Sequence, residues 1–89
     1  MSAESFTAKI QKAMRIQIPV LLRWSYQLNP GTILKVQVSG TSPPRRARFY
    51  GRMQKSGRIT IPKLTAETTE LKNGDIVEVT VWIQQPSIV

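Results

Sequence analysis

The chain has 89 residues, 13 lysines and arginines against 5 acidic residues, a formal net charge of +8, and neither cysteine nor histidine. A disulfide framework and a thiolate metal site are therefore excluded, and a chain this short forms one domain with a thin core. The charge is concentrated: residues 1–50 hold eight basic residues against Glu4 alone, a net of +7. Such a field attracts polyanions, nucleic acid before an anionic membrane surface; charge that serves only solubility is the alternative.

The first predicted elements are an extended stretch, FTAKIQ at residues 6–11, and a short strand that follows a turn. In this strand Ile16 and Ile18 alternate with Gln17, a period of two that indicates one buried face. Pro19 follows. Because proline has no N–H to donate to a sheet and suits the first turn of a helix, it predicts that the strand ends here.

A short helix is predicted next, followed by a turn and another strand. Leu21, Trp24 and Leu28 recur at helical spacing, and we expect them in the core rather than at a ligand. The turn at residues 29–31 contains proline and glycine. Apolar residues then alternate through residues 34–38, which predicts a strand with one buried face.

The segment SGTSPPRRARFYG, residues 39–51, is predicted to be a Pro/Arg-rich linker that leads into the next strand. Pro43 and Pro44 interrupt regular structure. Three arginines within four residues follow, and we expect them to contact phosphate, which arginine binds bidentately. The alternative is a solvated linker in which Phe49 or Tyr50 simply enters the core. Direct base contact by one of these aromatics is a third interpretation.

The second half of the chain repeats the first. KSGRITIP at residues 55–62 corresponds to KAMRIQIP at residues 12–19, 43 positions earlier, and the match continues through the helix, the turn and the last strand. The repeated unit is strand–turn–strand–short helix–strand, with one apolar face. Because three short strands are not stable alone, we expect two copies to close a small barrel or sandwich. The chain is therefore predicted to be one domain of two repeats, at about residues 6–40 and 47–84.

The turns of the two repeats differ in sequence. Gly57 supplies a residue that adopts positive φ without strain, as a tight turn requires. The first repeat has Ala13 and Met14 at the positions of Ser56 and Gly57. We therefore expect a looser turn, or one of another type, in the first repeat.

Catalytic chemistry has no candidate residues. A catalytic triad, a zinc cluster and a glycine-rich phosphate loop cannot be assembled from this sequence. The sequence therefore predicts a protein that is not an enzyme and that uses no cofactor, no metal and no small-molecule substrate. No segment is apolar and long enough for a membrane span or a signal peptide, so we expect a cytoplasmic protein with no membrane partner.

The motif KSGRITIP…LKNGDIVEVTVW resembles the AbrB/MazE/SpoVT swapped-hairpin family, whose pattern is a Gly-Arg turn, a strand ending in Ile-Pro, a short helix, and Leu-x-x-Gly-Asp before the last strand. Residues 52–83 match this pattern well. Residues 9–38 match it more loosely, with Met14 in place of the turn glycine and Thr32 in place of the aspartate. Members of the family interlock two units into a β-barrel. The resemblance implies a mainly β, AbrB-like swapped-hairpin barrel of two β-β-α-β repeats with two short helices, a pseudo-dimer within one chain.

The resemblance also implies duplex DNA as the partner, because members of the family bind DNA with arginines around the first turn and the helix. With the basic charge, it implies a transcriptional regulator or an architectural, nucleoid-associated protein. The candidate DNA-binding residues are Lys9, Lys12, Arg15, Arg23, Arg45, Arg46, Arg48, Arg52, Lys55 and Arg58.

Two further questions follow from the resemblance. The second helix carries Ala66 and Glu67 where the first carries Arg23 and Trp24, so we expect the side of Arg15 to contribute more to binding. The alternative function is an antitoxin-like interaction module. Only QQPSIV follows the last strand, and we expect so short a tail to be unable to cover a toxin, which favours DNA binding. RNA or another polyanion, and a homodimer, are left open.

Overall fold

The unit β-β-α-β occurs twice in the computed structural model, which describes residues 2–41 and 45–83. The elements are β1 (Ser2–Lys9), β2 (Arg15–Gln17), α1 (Val20–Ser25), β3 (Ile33–Ser39), β4 (Arg46–Arg52), β5 (Arg58–Thr60), α2 (Lys63–Thr69) and β6 (Ile76–Ile83). Pro19 and Pro62 stand at the N-cap positions of the helices, one residue before the first helical turn predicted for them. Pro43, Pro44 and the tail QQPSIV lie outside the described residues.

The strands of each repeat pair with strands of the other repeat. β1 pairs antiparallel with β6, and β3 lies between β6 and β4, which gives a four-stranded sheet in the order β1-β6-β3-β4. β2 and β5 form a second, two-stranded antiparallel sheet. In the part of the chain that the structure describes, every pair of strands in these sheets joins the first repeat to the second. Neither repeat therefore contains a sheet of its own.

The pairing has the symmetry of the sequence repeat. In the two-stranded sheet Ile16 lies opposite Ile59, and in the four-stranded sheet Gln37 lies opposite Thr80. The members of both pairs are 43 positions apart, so each residue faces its own counterpart. A pseudo-twofold axis therefore passes through both sheets and relates one repeat to the other.

The two sheets pack their apolar faces against one core. The alternation predicted for β2, β3, β5 and β6 is confirmed, since the inward residues of these strands are buried. The buried apolar residues are Ile10, Ile16, Ile18, Leu34, Val36, Val38, Phe49, Met53, Ile59, Ile61, Ala66, Leu71, Val77, Val79, Val81 and Ile83. The fold is mainly β, but the described strands form two separate sheets rather than the closed barrel that the resemblance implies. Among the described strands β2 and β5 pair with each other and with no third strand, and both have three residues.

The prediction that Leu21 and Trp24 enter the core is wrong. Leu21 is 70% exposed and Trp24 is 72% exposed. Leu22 and Tyr26 pack against the core instead, and Leu28 is partly buried there as predicted. Both sets of residues have helical spacing, so spacing alone cannot decide which side of a six-residue helix faces inward. Among the described residues, neither helix is long and apolar enough to cross a membrane.

The C-terminal end of α1 is tied to β1 by one side-chain contact. The hydroxyl of Tyr26 donates a hydrogen bond to Glu4 Oε1 at 2.6 Å. This hydrogen bond raises the pKa of Tyr26, because loss of the proton would place two anions side by side. The contact therefore stabilises the fold below the ordinary tyrosine pKa and is lost as the pH rises through the raised one.

Gly51 on β4 leaves no room for a side chain. A Cβ atom there would lie 2.5 Å from Ile59 Cγ2. We expect Gly51→Ala to lower the free energy of unfolding by about 1–3 kcal/mol through overpacking of the core, measured by urea denaturation. The counterpart position, Ala8, provides the control: Ala8→Gly is expected to cost about 0.5–1 kcal/mol. If Gly51→Ala has the same urea midpoint as the parent, the core rearranges to accommodate the added methyl group without loss of stability.

Candidate nucleic-acid interface

The two-stranded sheet presents a narrow basic surface. Because Ile16 and Ile59 point into the core, their neighbours Arg15 and Arg58 point outward. The pseudo-twofold axis passes between these two arginines. We call the outer side of β2 and β5, together with their preceding turns at residues 12–14 and 55–57, the ribbon face. A two-stranded β-ribbon is narrow enough to enter the major groove of duplex DNA.

The two turns that border the ribbon face have different geometry, as the sequence predicts. In the second repeat Gly57 has φ +81°, and its N–H donates to Gln54 O at 2.9 Å. In the first repeat both Ala13 and Met14 have positive φ, at 64° and 56°. The N–H of Met14 donates to Asn73 Oδ1 at 3.3 Å, which supports this strained turn from the other repeat.

Four cations surround the ribbon face and have no acidic partner in the part of the chain that the structure describes. Lys12 and Lys55 are exposed on the two turns. The Nε of Arg15 donates to Lys12 O at 3.2 Å, whereas the Nε of Arg58 is buried without a hydrogen-bond partner. Within residues 2–41 and 45–83 the ion pair that forms is Arg45–Glu70, at 3.0 Å, so no carboxylate there neutralises the four cations. Their charge is therefore available to an anionic ligand.

Arg23 lies beside the turn of the opposite repeat. Its guanidinium packs over Gly57, where an added Cβ would lie 2.6 Å from Arg23 Cζ, and its Nε donates to Ile18 O at 3.2 Å. The cause is the pairing of the repeats, in which the N–H of Ile18 donates to Gly57 O at 2.9 Å. Arg23 therefore adds its charge beside Arg58. The expectation that Arg15 contributes more to DNA binding than Arg58 requires Arg23 to lie beside Arg15. In the structure Arg23 lies beside Arg58 instead.

The corresponding contact between α2 and the turn at residues 12–14 has the opposite combination of side-chain sizes. The counterparts of Arg23 and Gly57 are Ala66 and Met14, and the N–H of Ile61 donates to Met14 O at 2.8 Å. Ala66 is buried, and Met14 packs against the core. One junction therefore combines a large helix residue with a glycine turn, and the other combines a small helix residue with a methionine turn.

We expect the residues at the Arg23–Gly57 junction to be energetically coupled. Gly57→Met alone places a side chain at positive φ and against the guanidinium, and is expected to cost about 2–4 kcal/mol. Adding Arg23→Ala recreates the combination of the other junction, so the double variant should be more stable than the sum of the single effects by about 0.5–3 kcal/mol. Urea midpoints of the parent and the three variants measure this coupling. Additive effects would mean that the two positions act independently.

The remaining predicted residues lie elsewhere on the molecule. Arg46 and Arg48 belong to β4 rather than to a linker, and Arg52 lies on β4 as well; all three side chains are exposed on the outer side of the four-stranded sheet. Lys9 ends β1 on the same side, and Arg45 is paired with Glu70. Apart from Arg45, the predicted residues are thus divided between two faces on opposite sides of the core. The sequence does not reveal this division, because the linker predicted at residues 39–51 includes Arg46 and Arg48.

No protein-family model matches the sequence, and no curated protein matches it. The solution structure of PHS018 from Pyrococcus horikoshii is similar, with a TM-score of 0.80 and 23% sequence identity over 94% of this chain and 95% of that chain. At this level of identity the likeness shows the fold alone. A second chain of similar length therefore has the same arrangement of strands and helices.

Proposed function

We propose that the protein is an AbrB-like swapped-hairpin pseudo-dimer that binds duplex DNA through the ribbon face. The observation that carries the proposal is a set of cations on one two-stranded ribbon that pair with no carboxylate among the described residues: Lys12, Arg15, Lys55 and Arg58. A ribbon of this width fits the major groove, and cations at its rims lie near the phosphates of both strands. The overall charge of +8 adds long-range attraction.

The pseudo-twofold axis supports the same function. Proteins that bind DNA as dimers match their own twofold axis to the symmetry of the duplex. Here the axis passes between Arg15 and Arg58, so one chain presents two related arginines to the two DNA strands. Tandem duplication supplies in one chain the symmetry that other proteins obtain from two.

Contacts within the ribbon favour binding to phosphates over reading of bases. The amide nitrogen of Gln17 donates to Ser56 O at 2.9 Å, and the amide nitrogen of Gln54 donates to Thr60 Oγ1 at 2.7 Å. These polar groups on the ribbon and beside it are already engaged within the protein. We therefore favour an architectural role with weak sequence preference over a sequence-specific regulator.

The proposal is tested by fluorescence anisotropy with several unrelated 20-base-pair duplexes over a range of salt concentrations. If the four ribbon cations each neutralise one phosphate, the log–log slope of affinity against salt should be about −3.6. The duplexes should differ little in affinity. A flat response to salt, or no binding at low salt, would remove duplex DNA as the ligand.

The two turn arginines are expected to contribute unequally. Arg58 has the charge of Arg23 beside its turn, whereas Arg15 has the neutral Ala66 at the corresponding position. Arg58→Ala should therefore weaken duplex binding more than Arg15→Ala, by about two- to fivefold. Both variants are compared on one duplex at one salt concentration after their melting curves are matched to the parent. A larger loss for Arg15→Ala would restore the order expected from the sequence.

The alternative function, an antitoxin-like interaction module, has one observation in its favour. Leu21 and Trp24 expose an apolar surface on α1. Leu21→Ser distinguishes the two functions, because it removes part of this apolar surface and leaves every ribbon cation in place. Under the DNA-binding proposal this variant should bind duplex DNA like the parent.

A further inference from the structure

We propose that the outer side of the four-stranded sheet is a second binding site, specific for single-stranded nucleic acid. We call this site the sheet face, and it consists of Lys35, Arg46, Arg48, Tyr50, Arg52 and Trp82. It is separate from the ribbon face and does not depend on duplex binding. Its ligand class follows from the combination of cations with an exposed aromatic ring on one strand.

The cations of the sheet face lie on two adjacent strands. Phe49 and Gly51 point into the core, so the alternate residues of β4 point outward, and Arg48 and Arg52 are exposed. Arg48 Nε donates to Gln37 Oε1 at 2.9 Å, which holds its side chain across β3. None of the cations on this face pairs with a carboxylate among the described residues. The face therefore carries a row of cations, with Arg48 held in place by Gln37, that suits a nucleic-acid backbone.

The aromatic residues determine which kind of nucleic acid fits. Tyr50 is 73% exposed and lies opposite Lys35 in the sheet. Trp82 is engaged by two cations, since Lys35 Nζ and Arg48 Cζ each lie 5.3 Å from its ring centroid. The Tyr50 ring is therefore exposed among cations on an edge strand of the sheet. In a duplex the faces of the bases are stacked on one another, whereas a single strand can turn a base onto this ring.

The pseudo-symmetry shows that the fold itself does not require this set of residues. The other half of the same sheet keeps one cation, Lys9 at the place of Arg52, but has small or acidic residues at the other matching positions, with Thr7 at the place of Tyr50 and Glu78 at the place of Lys35. There the hydroxyl of Thr7 donates to Glu78 Oε1 at 2.6 Å. The counterparts of Arg46 and Arg48 are Ala3 and Ser5. Arginines that only protected a sheet edge would be needed equally on β1, which is the other edge strand.

The two faces can be occupied at the same time. Both sheets pack against one core, so their outer sides point in opposite directions. A duplex bound at the ribbon face therefore leaves Tyr50 and its neighbours uncovered. The chain can hold a duplex on one side and a single strand on the other.

The test uses the full chain, a fluorescein-labelled 12-nucleotide oligo(dT) and an unlabelled 20-base-pair duplex. Tyr50→Thr introduces the residue that Thr7 provides at the matching position and leaves the net charge unchanged. We expect it to weaken oligo(dT) binding about tenfold, the range for loss of one base–aromatic stack, and to change duplex binding less than twofold. Tyr50→Trp, which keeps a ring, should retain oligo(dT) affinity. Arg58→Ala should weaken duplex binding and leave oligo(dT) binding within about twofold.

The outcomes separate this inference from the proposed function. Unchanged oligo(dT) affinity in Tyr50→Thr would overturn the sheet face as a stacking site. Full displacement of oligo(dT) by one equivalent of duplex would overturn it as a separate site. If the parent fails to bind duplex but Tyr50→Thr still weakens oligo(dT) binding, the proposed duplex function fails and the sheet face stands.

Discussion

Neither repeat is expected to fold without the other. When residues 1–44 and residues 45–89 are produced separately, each should show no cooperative unfolding as a monomer. The reason is the pairing pattern: in the two sheets described here, each strand of one repeat has its partners in the other repeat. Separation therefore removes every strand pair of both sheets, and a single apolar face with nothing to cover it is not stable.

Mixing the two fragments supplies the control. Equimolar fragments should recover a cooperative melt, with a midpoint that rises with protein concentration, because folding is then coupled to association. The mass of each fragment must also be measured by sedimentation. A fragment could form a homodimer in which Ile16 or Ile59 lies opposite the same residue of a second copy. A fragment that melts cooperatively at a concentration where it sediments as a monomer would contradict the observed pairing.

Removing both turn arginines is expected to have the largest effect on duplex binding. A charge-assisted hydrogen bond is worth about 1.5–3 kcal/mol, so the double variant Arg15→Ala/Arg58→Ala should bind about a hundredfold or more weakly than the parent. The slope of affinity against salt should become less steep by about 1.8, the contribution of two phosphates. Fluorescence anisotropy with one duplex over a salt series measures both quantities.

The matched control for this double variant is Arg46→Ala/Arg48→Ala on the sheet face. It removes the same number of charges from the same residue type, on the opposite side of the core. Because only the long-range attraction is reduced, we expect duplex affinity to fall by a few-fold. Equal reductions for the two double variants would mean that net charge, rather than the ribbon, holds the DNA.

Much of the local structure could be predicted from the sequence. The repeat, the alternating strands and the helices after Pro19 and Pro62 follow from periodicity and from the chemistry of proline. The side of α1 that faces the core could not be predicted, because Leu21–Trp24–Leu28 and Leu22–Tyr26 both have helical spacing. The position of α1 relative to the strand before it determines which of these two sides faces the core, and this position depends on tertiary packing.

The layout of the basic residues was the least predictable part of the candidate site. Met14 in place of a glycine and Ala66 in place of an arginine were both visible as departures between the repeats. The contact between these two positions could not be predicted, because it depends on which helix packs against which turn. Likewise, three clustered arginines after two prolines suggested a linker, whereas alternation along β4 places Arg46 and Arg48 together with Tyr50 on one side of a sheet.

The most direct test of the central claim is to map the duplex on the protein by NMR. An amide chemical-shift titration of the isotopically labelled chain with a 20-base-pair duplex locates the surface that the DNA covers. We expect the largest shifts at residues 12–17 and 55–60, which form the ribbon face, and little change at Arg48 and Tyr50. Shifts concentrated on β3 and β4, with the ribbon unaffected, would contradict duplex binding through the ribbon face.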